Sequence, residues 1–221
     1  MSKRFNGGAG SDLERLRARP ADAGNAIPED RILDAVAGGL LEHGLDRLTM
    51  AEIATRAGVA RATLYRRWEN VRSAVAALLT REWVAVIAEA NREEITVGRD
   101  RLVDAVVRTV AMIRVHPVQQ AIIESDPEFL VPYVFQRMGR TSTHVVQVLE
   151  NGIREGHADG SIRPLDVALQ ARTVLLLAWS FVITAPMVTG STGGPGPVLA
   201  ELDGQLAVAL DRYLAPDLSQ D

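Results

Sequence analysis

The stretch LTMAEIATRAGVARATLYRRWEN, residues 48–70, sets one glycine between two short helix-like runs. Thr49-Met50-Ala51-Glu52 has capping-box spacing, with Thr at the cap and Glu three residues on, and so opens a helix. Gly58 ends it, because glycine accepts the positive φ of a tight turn without steric cost. Residues 60–68 then form a second helix. Ile53, Ala54, Ala57, Val59 and Leu64 point inward, small Ala54 permitting a close helix crossing. Arg61, Ala62, Thr63, Tyr65 and Arg66 are left facing out. That inventory suits a helix laid in the major groove of duplex DNA. Arginine matches guanine edges, threonine and tyrosine reach phosphates, and alanine meets a thymine methyl.

The charge pattern agrees. The 221-residue chain carries 24 Lys and Arg against 28 Asp and Glu, a formal net charge of −4. Yet Arg56, Arg61, Arg66, Arg67 and Arg72 lie together in and just beyond this stretch, a local source of phosphate-binding charge. An αα-hairpin that merely solvates its surface needs no such concentration. Thr49, at the head of the first of the two helices, and Arg67 complete the candidate DNA contacts.

Composition is that of an ordered globular chain, 47% hydrophobic and 24% charged. The absence of cysteine excludes disulfides, thiolate metal sites and cysteine nucleophiles. Lys3 is the one lysine. The leading MSKRFNGGAGS has charge but no apolar core, so no secretory signal is expected there. The apolar run 174–188 is broken by Ser180, Thr184 and Pro186 and is short for a membrane span of roughly 20 residues. A cytoplasmic protein is the expectation.

Along the rest of the chain the apolar period is helical. Residues 1–26 read as a flexible basic arm, with Lys3, Arg4, Arg15, Arg17 and Arg19. Pro28-Glu29-Asp30 opens a helix with the stripe Ile32, Val36 and Leu40, closed at Gly44. A longer helix starts near Val71. Another carries Leu102, Val106, Val110 and Ile113 and ends at His116-Pro117. A short apolar piece (118–123), a Pro-punctuated SDPEFLVP, and a helix over 133–154 follow. Pro164 opens a helix to about Ala185, and 198–214 form the last. The expected fold is all-α, about nine helices: a three-helix helix-turn-helix domain at 27–72, then a larger helical domain at 73–221.

The quoted stretch resembles the DNA-binding domain of the TetR family of bacterial transcriptional regulators. The resemblance rests on Thr49, Ile53-Ala54, Ala57-Gly58-Val59, Thr63-Leu64-Tyr65 and the aromatic Trp68, and on the turn Gly160–Pro164. It is specific over about 28–80 and topological beyond. It implies a dimer whose recognition helices read two operator half-sites and a ligand cavity among the middle helices. One position departs from the family. Past the aromatic, the family has Ser or Asn and then a phosphate-binding Lys, whereas this chain has Asn70 and then Val71, with Arg72 one step on. Asn70 and Arg72 join the candidate contacts, and Arg72 or the basic arm is the substitute for the missing lysine.

Met112, His116, Phe129, Tyr133, Met138, His144 and Trp179 are the candidate ligand contacts, with large pliable side chains suiting a largely apolar effector. For the aromatic and methionine residues among them a core position is the commoner reading, and for the two histidines a partly exposed or internally satisfied one. Residues 175–183 are apolar nearly all round, more than one packing stripe needs. Leu176 there, with Leu202, Leu206 and Tyr213 on the last helix, is expected to form a four-helix contact between two subunits. The four histidines have no metal-ligand spacing and no phosphate loop follows a strand, so no metal, cofactor or catalytic centre is expected. The function expected is a ligand-responsive repressor. An activator or ligand-independent regulator of the same fold is the alternative, and a helical enzyme or adaptor would require a polar catalytic cluster.

Overall fold

The computed structural model describes residues 29–130, 140–190 and 196–216, and every regular element among them is helical. In chain order these are α1 (Glu29–His43), α2 (Met50–Ala57), α3 (Arg61–Tyr65), α4 (Val71–Ala90), α5 (Gly98–Val115) and α6 (Pro117–Ser125). A 3₁₀ turn (Pro127–Leu130), α7 (Arg140–Ala158), α8 (Val167–Ile183), α9 (Ala185–Thr189) and α10 (Pro197–Leu214) complete them. The all-helical expectation holds, with ten α-helices among the described residues. The extra one is α9, set off where Pro186 enters a new first turn after Thr184. None of the described helices is long and apolar enough to cross a membrane. The basic arm, Pro28, Tyr133 and Met138 lie outside the described residues.

The described residues form two compact units, one of 29–85 and 115–130 and the other of 86–114, 140–190 and 196–216. In the first, Ile32, Val36 and Leu40 of α1, Ile53 of α2, Leu64 of α3 and Val75 and Leu78 of α4 are 0% exposed. These are the stripes the sequence marks at three- and four-residue spacing. The C-terminal end of α6 joins this unit through Ser125, whose Oγ accepts from the Leu45 N–H at 2.9 Å.

The second unit packs α7 against α8, with α10 beside α8. Ile153, Ile162, Ala171, Val174, Leu206, Leu210 and Leu214 are among its fully or almost fully buried side chains. At the head of α5 the backbone comes so close to α7 that a Cβ on Gly98 would lie 2.8 Å from the Gly156 Cα. The Asp159 carboxylate reaches the same point, accepting from the Gly98 N–H at 2.7 Å and the Ser161 N–H at 2.9 Å. Pro164 does not open α8. The helix begins three residues later, where Asp166 accepts from the Leu169 N–H at 2.7 Å and so caps an otherwise unpaired donor.

Candidate nucleic-acid interface

Thr49 is the N-cap of α2: its Oγ1 accepts from the Glu52 N–H at 3.2 Å. The Glu52 carboxylate lies against Arg56 (3.3 Å) and His43 (3.2 Å). Gly58 terminates the helix in the left-handed region (φ 66°), where its N–H meets the Ala54 and Thr55 carbonyls. The chain turns through Val59 and Ala60 into α3, five residues long and held from within by Leu64. Trp68, 8% exposed, plugs the exit, and its N–H bonds to the Leu64 carbonyl at 2.9 Å.

Because Leu64 is consumed by the core, the opposite side of α3 is free. Arg61, Ala62, Arg66 and Arg67 are exposed, Tyr65 is 56% exposed and Thr63 is half-buried. Arg61 and Arg66 enter no ion pair among the described residues. Arg56 and Arg72 behave otherwise, which corrects the expectation that all five clustered arginines are available. Arg56 bonds to Glu42 at 2.6 Å, and that bond holds the Glu42 carboxyl below its ordinary range. Arg72 is bonded to Asp126, and its guanidinium stands 5.5 Å from the centre of the Phe129 ring. Asn70 is also engaged: it caps α4, accepting from the Ser73 N–H at 2.9 Å. The uncommitted charge is therefore that of Arg61, at the start of α3, and Arg66, the residue just past its end.

The candidate ligand residues are distributed over both units. His116 and Phe129 belong to the unit that holds the helix-turn-helix; Met112, His144 and Trp179 belong to the other. Phe129 is 4% exposed, while Met112, His116, His144 and Trp179 are half-buried. His116 is the residue before α6 rather than part of a helix, with Nε2 3.5 Å from a Glu82 carboxylate oxygen. Met187, on α9, is 78% exposed. Of the residues assigned to subunit contact, Leu176 is 70% exposed, Leu202 and Tyr213 are half-buried, and Arg163 stacks 4.8 Å from the Tyr213 ring centre. Leu206 is 0% exposed within its own chain, so it packs the core and cannot face a partner. An apolar stripe at helical spacing has the same pattern whether it is covered from inside or outside, and here α10 turns it inward.

Sequence reading missed Asp126, Glu82 and Gln119. Asp126 lies 54 positions from the arginine it holds, and no local pattern marks such a pair. Gln119 stands three residues after His116, a helical spacing that places both on one side of α6.

A capped helix, a left-handed glycine turn and a short helix with outward arginines, set on an apolar three-helix core, define a helix-turn-helix DNA-binding protein. Residues 32–73 match the model of the bacterial regulatory proteins of the tetR family. An uncharacterized HTH-type transcriptional regulator of Mycobacterium bovis is 34% identical over 186 residues, covering 83% of this chain and 93% of its own. The chain belongs to the TetR family of transcriptional regulators, which are not enzymes. The fold is also that of the R. erythropolis repressor QsdR (TM-score 0.61, 18% identity, covering 84% of this chain and 95% of that one). It is shared with FadR from Bacillus subtilis, solved with stearoyl-CoA (TM-score 0.59, 17% identity, covering 85% and 100%).

Proposed function

We propose that this regulator is a cytoplasmic repressor that binds a palindromic operator as a homodimer and is released by a small-molecule effector. The observation that carries the reading is the outward side of α3, where Arg61 and Arg66 stand exposed, without ion-pair partners among the described residues, beside Ala62 and Tyr65. A guanidinium without an internal partner is available to bond a guanine edge in two places. Residues 27–72 would form the reading head, with Thr63, Tyr65 and Arg67 on phosphates.

Dimerisation is supported by α8. Leu169 and Leu176, seven residues apart and so on one helix side, are 58% and 70% exposed, and Val208 on α10 is 43% exposed. Exposed apolar surface of this kind marks an interaction face. Effector response is supported by the FadR complex with stearoyl-CoA, a protein of the same fold.

A mobility-shift titration of the full chain against its own upstream DNA tests the function. Specific binding should persist at salt concentrations that abolish binding to random duplex. Equal affinity for the two at every salt concentration would refute it.

A further inference from the structure

Three polar or charged side chains are buried among the described residues: Arg114, Gln119 and Gln170. Two are met from within. Arg114 is bonded to Asp203. The Gln170 oxygen lies 2.9 Å from His157 Nε2, and its amide donates to the Arg163 carbonyl at 3.3 Å. Gln119 differs: it is 1% exposed, and neither Nε2 nor Oε1 has a hydrogen-bond partner among the described residues. His116, one helical turn away on the same side of α6, has its Nδ1 buried and equally unpartnered. Buried polar atoms in folded chains are paired almost without exception, so unpaired atoms on two neighbouring residues point to a molecule from outside.

The chemistry of these atoms selects the class of molecule. Nε2 of His116 faces the Glu82 carboxylate, which favours the tautomer with its proton on Nε2 and leaves Nδ1 an acceptor. The Gln119 carboxamide offers both N–H donors and an oxygen acceptor. The complementary group carries a carbonyl beside an N–H or O–H. An anionic head would meet the Glu82 carboxylate beside His116, and Arg81 is already committed to Glu82 at 2.7 Å and Asp34 at 2.8 Å. A buried charge without a counter-ion is strongly disfavoured.

We propose that Gln119 and His116 form the polar end of the effector site and bind a neutral carboxamide, lactam or hydroxy-carbonyl group. The site rests on the reading of this chain as effector-responsive, and it sharpens the expected effector from a largely apolar molecule to one with an uncharged hydrogen-bonding head.

The test uses the full chain and three matched probes: hexanamide, hexanoate and 2-hexanone. In ¹⁵N-labelled protein, hexanamide should shift the assigned Gln119 side-chain amide resonance saturably. Hexanoate and 2-hexanone, lacking the neutral donor, should bind about tenfold more weakly or worse. Urea unfolding supplies a second reading. Gln119→Leu removes atoms that lack partners and should leave stability unchanged or raised, whereas Gln170→Leu breaks two bonds and should lower it. A Gln119 resonance that ignores hexanamide, hexanoate binding as tightly as the amide, or a Gln119→Leu loss matching that of Gln170→Leu would each overturn the site. The operator titration reports separately. Hexanamide binding without specific DNA binding would uphold the site and refute the regulator reading, and the reverse pair of results would refute the site alone.

Discussion

The Arg72 guanidinium is bonded to the Asp126 carboxylate, joining the first turn of α4 to the residue that caps the end of α6. Asp126 is the more enclosed partner, its side chain 18% exposed against 55% for Arg72. The arginine that sequence reading offered as a replacement for the family's phosphate-binding lysine is thus held by an internal anion. Asp126→Asn should release it. The variant should bind duplex DNA of any sequence more tightly, with a salt dependence steeper by about one phosphate contact. Stability should change by no more than about 1 kcal/mol, as for other exposed pairs. Fluorescence anisotropy on random duplex across a salt series measures both, and an unchanged slope would show that Arg72 reaches no phosphate even when free.

Base reading should separate from backbone grip on α3. Arg66→Lys keeps the charge and loses the planar fork, so it should forfeit about 1–3 kcal/mol on the operator and little on random DNA. Tyr65→Phe should weaken both by a similar factor. Leu64→Ala, at a position 0% exposed, should instead lower stability by about 2–5 kcal/mol through a cavity. If Arg61→Lys and Arg66→Lys both preserve the ratio of operator to random affinity, these arginines grip phosphate only.

Subunit association should respond at Leu176 and not at Leu206. Leu176→Arg places a charge on an exposed apolar side and should give a folded monomer by sedimentation, with native helicity. Leu206→Arg should unfold the chain, because that side chain is enclosed in its own core. A stable Leu176→Arg dimer would move the interface elsewhere.

Acid should weaken the junction of α5 and α7. Burial pushes the Asp159 carboxyl up, but the Ser161 and Gly98 hydrogen bonds and nearby Arg101 outweigh it and hold the group below its ordinary value. A depressed carboxyl contributes stability above its unfolded value of about 3.9, and that contribution disappears as pH falls through the folded value. Asp159→Asn should therefore be less stable than the parent near neutral pH, with the difference shrinking as pH falls below the unfolded value of about 3.9. Urea midpoints at the two pH values decide it, and a pH-independent difference would exclude the charge as the cause.

Gly98→Ala probes the same junction sterically. Its Cβ would meet the Gly156 Cα at 2.8 Å, a backbone atom that no rotamer change can withdraw. A loss of about 1–3 kcal/mol is expected from thermal unfolding. A neutral result would show that α5 and α7 separate without penalty.

Most of the DNA-reading head was legible because its signals are local. The Thr49 cap, the Gly58 turn and the inward set Ile53, Ala54 and Leu64 each act within one helical turn of their neighbours, so residue order alone determined them. Once Leu64 is committed inward, 3.6-residue periodicity places Arg61, Tyr65 and Arg66 outside. The all-helical class followed from the same periodicity over the whole chain.

Tertiary structure decided which of those groups remain available. Whether Arg56 and Arg72 are free depends on Glu42 and Asp126, brought near by packing across 14 and 54 positions. Leu176 and Leu206 are equally apolar in sequence, and only the docking of α8 and α10 exposes one and encloses the other. Gln119 reads as an ordinary polar residue until α6 settles with that side covered, leaving its amide without a partner among the described residues. Periodicity reports which side of a helix is apolar or charged; what covers that side is a non-local contact, and no window of the sequence contains both of its members.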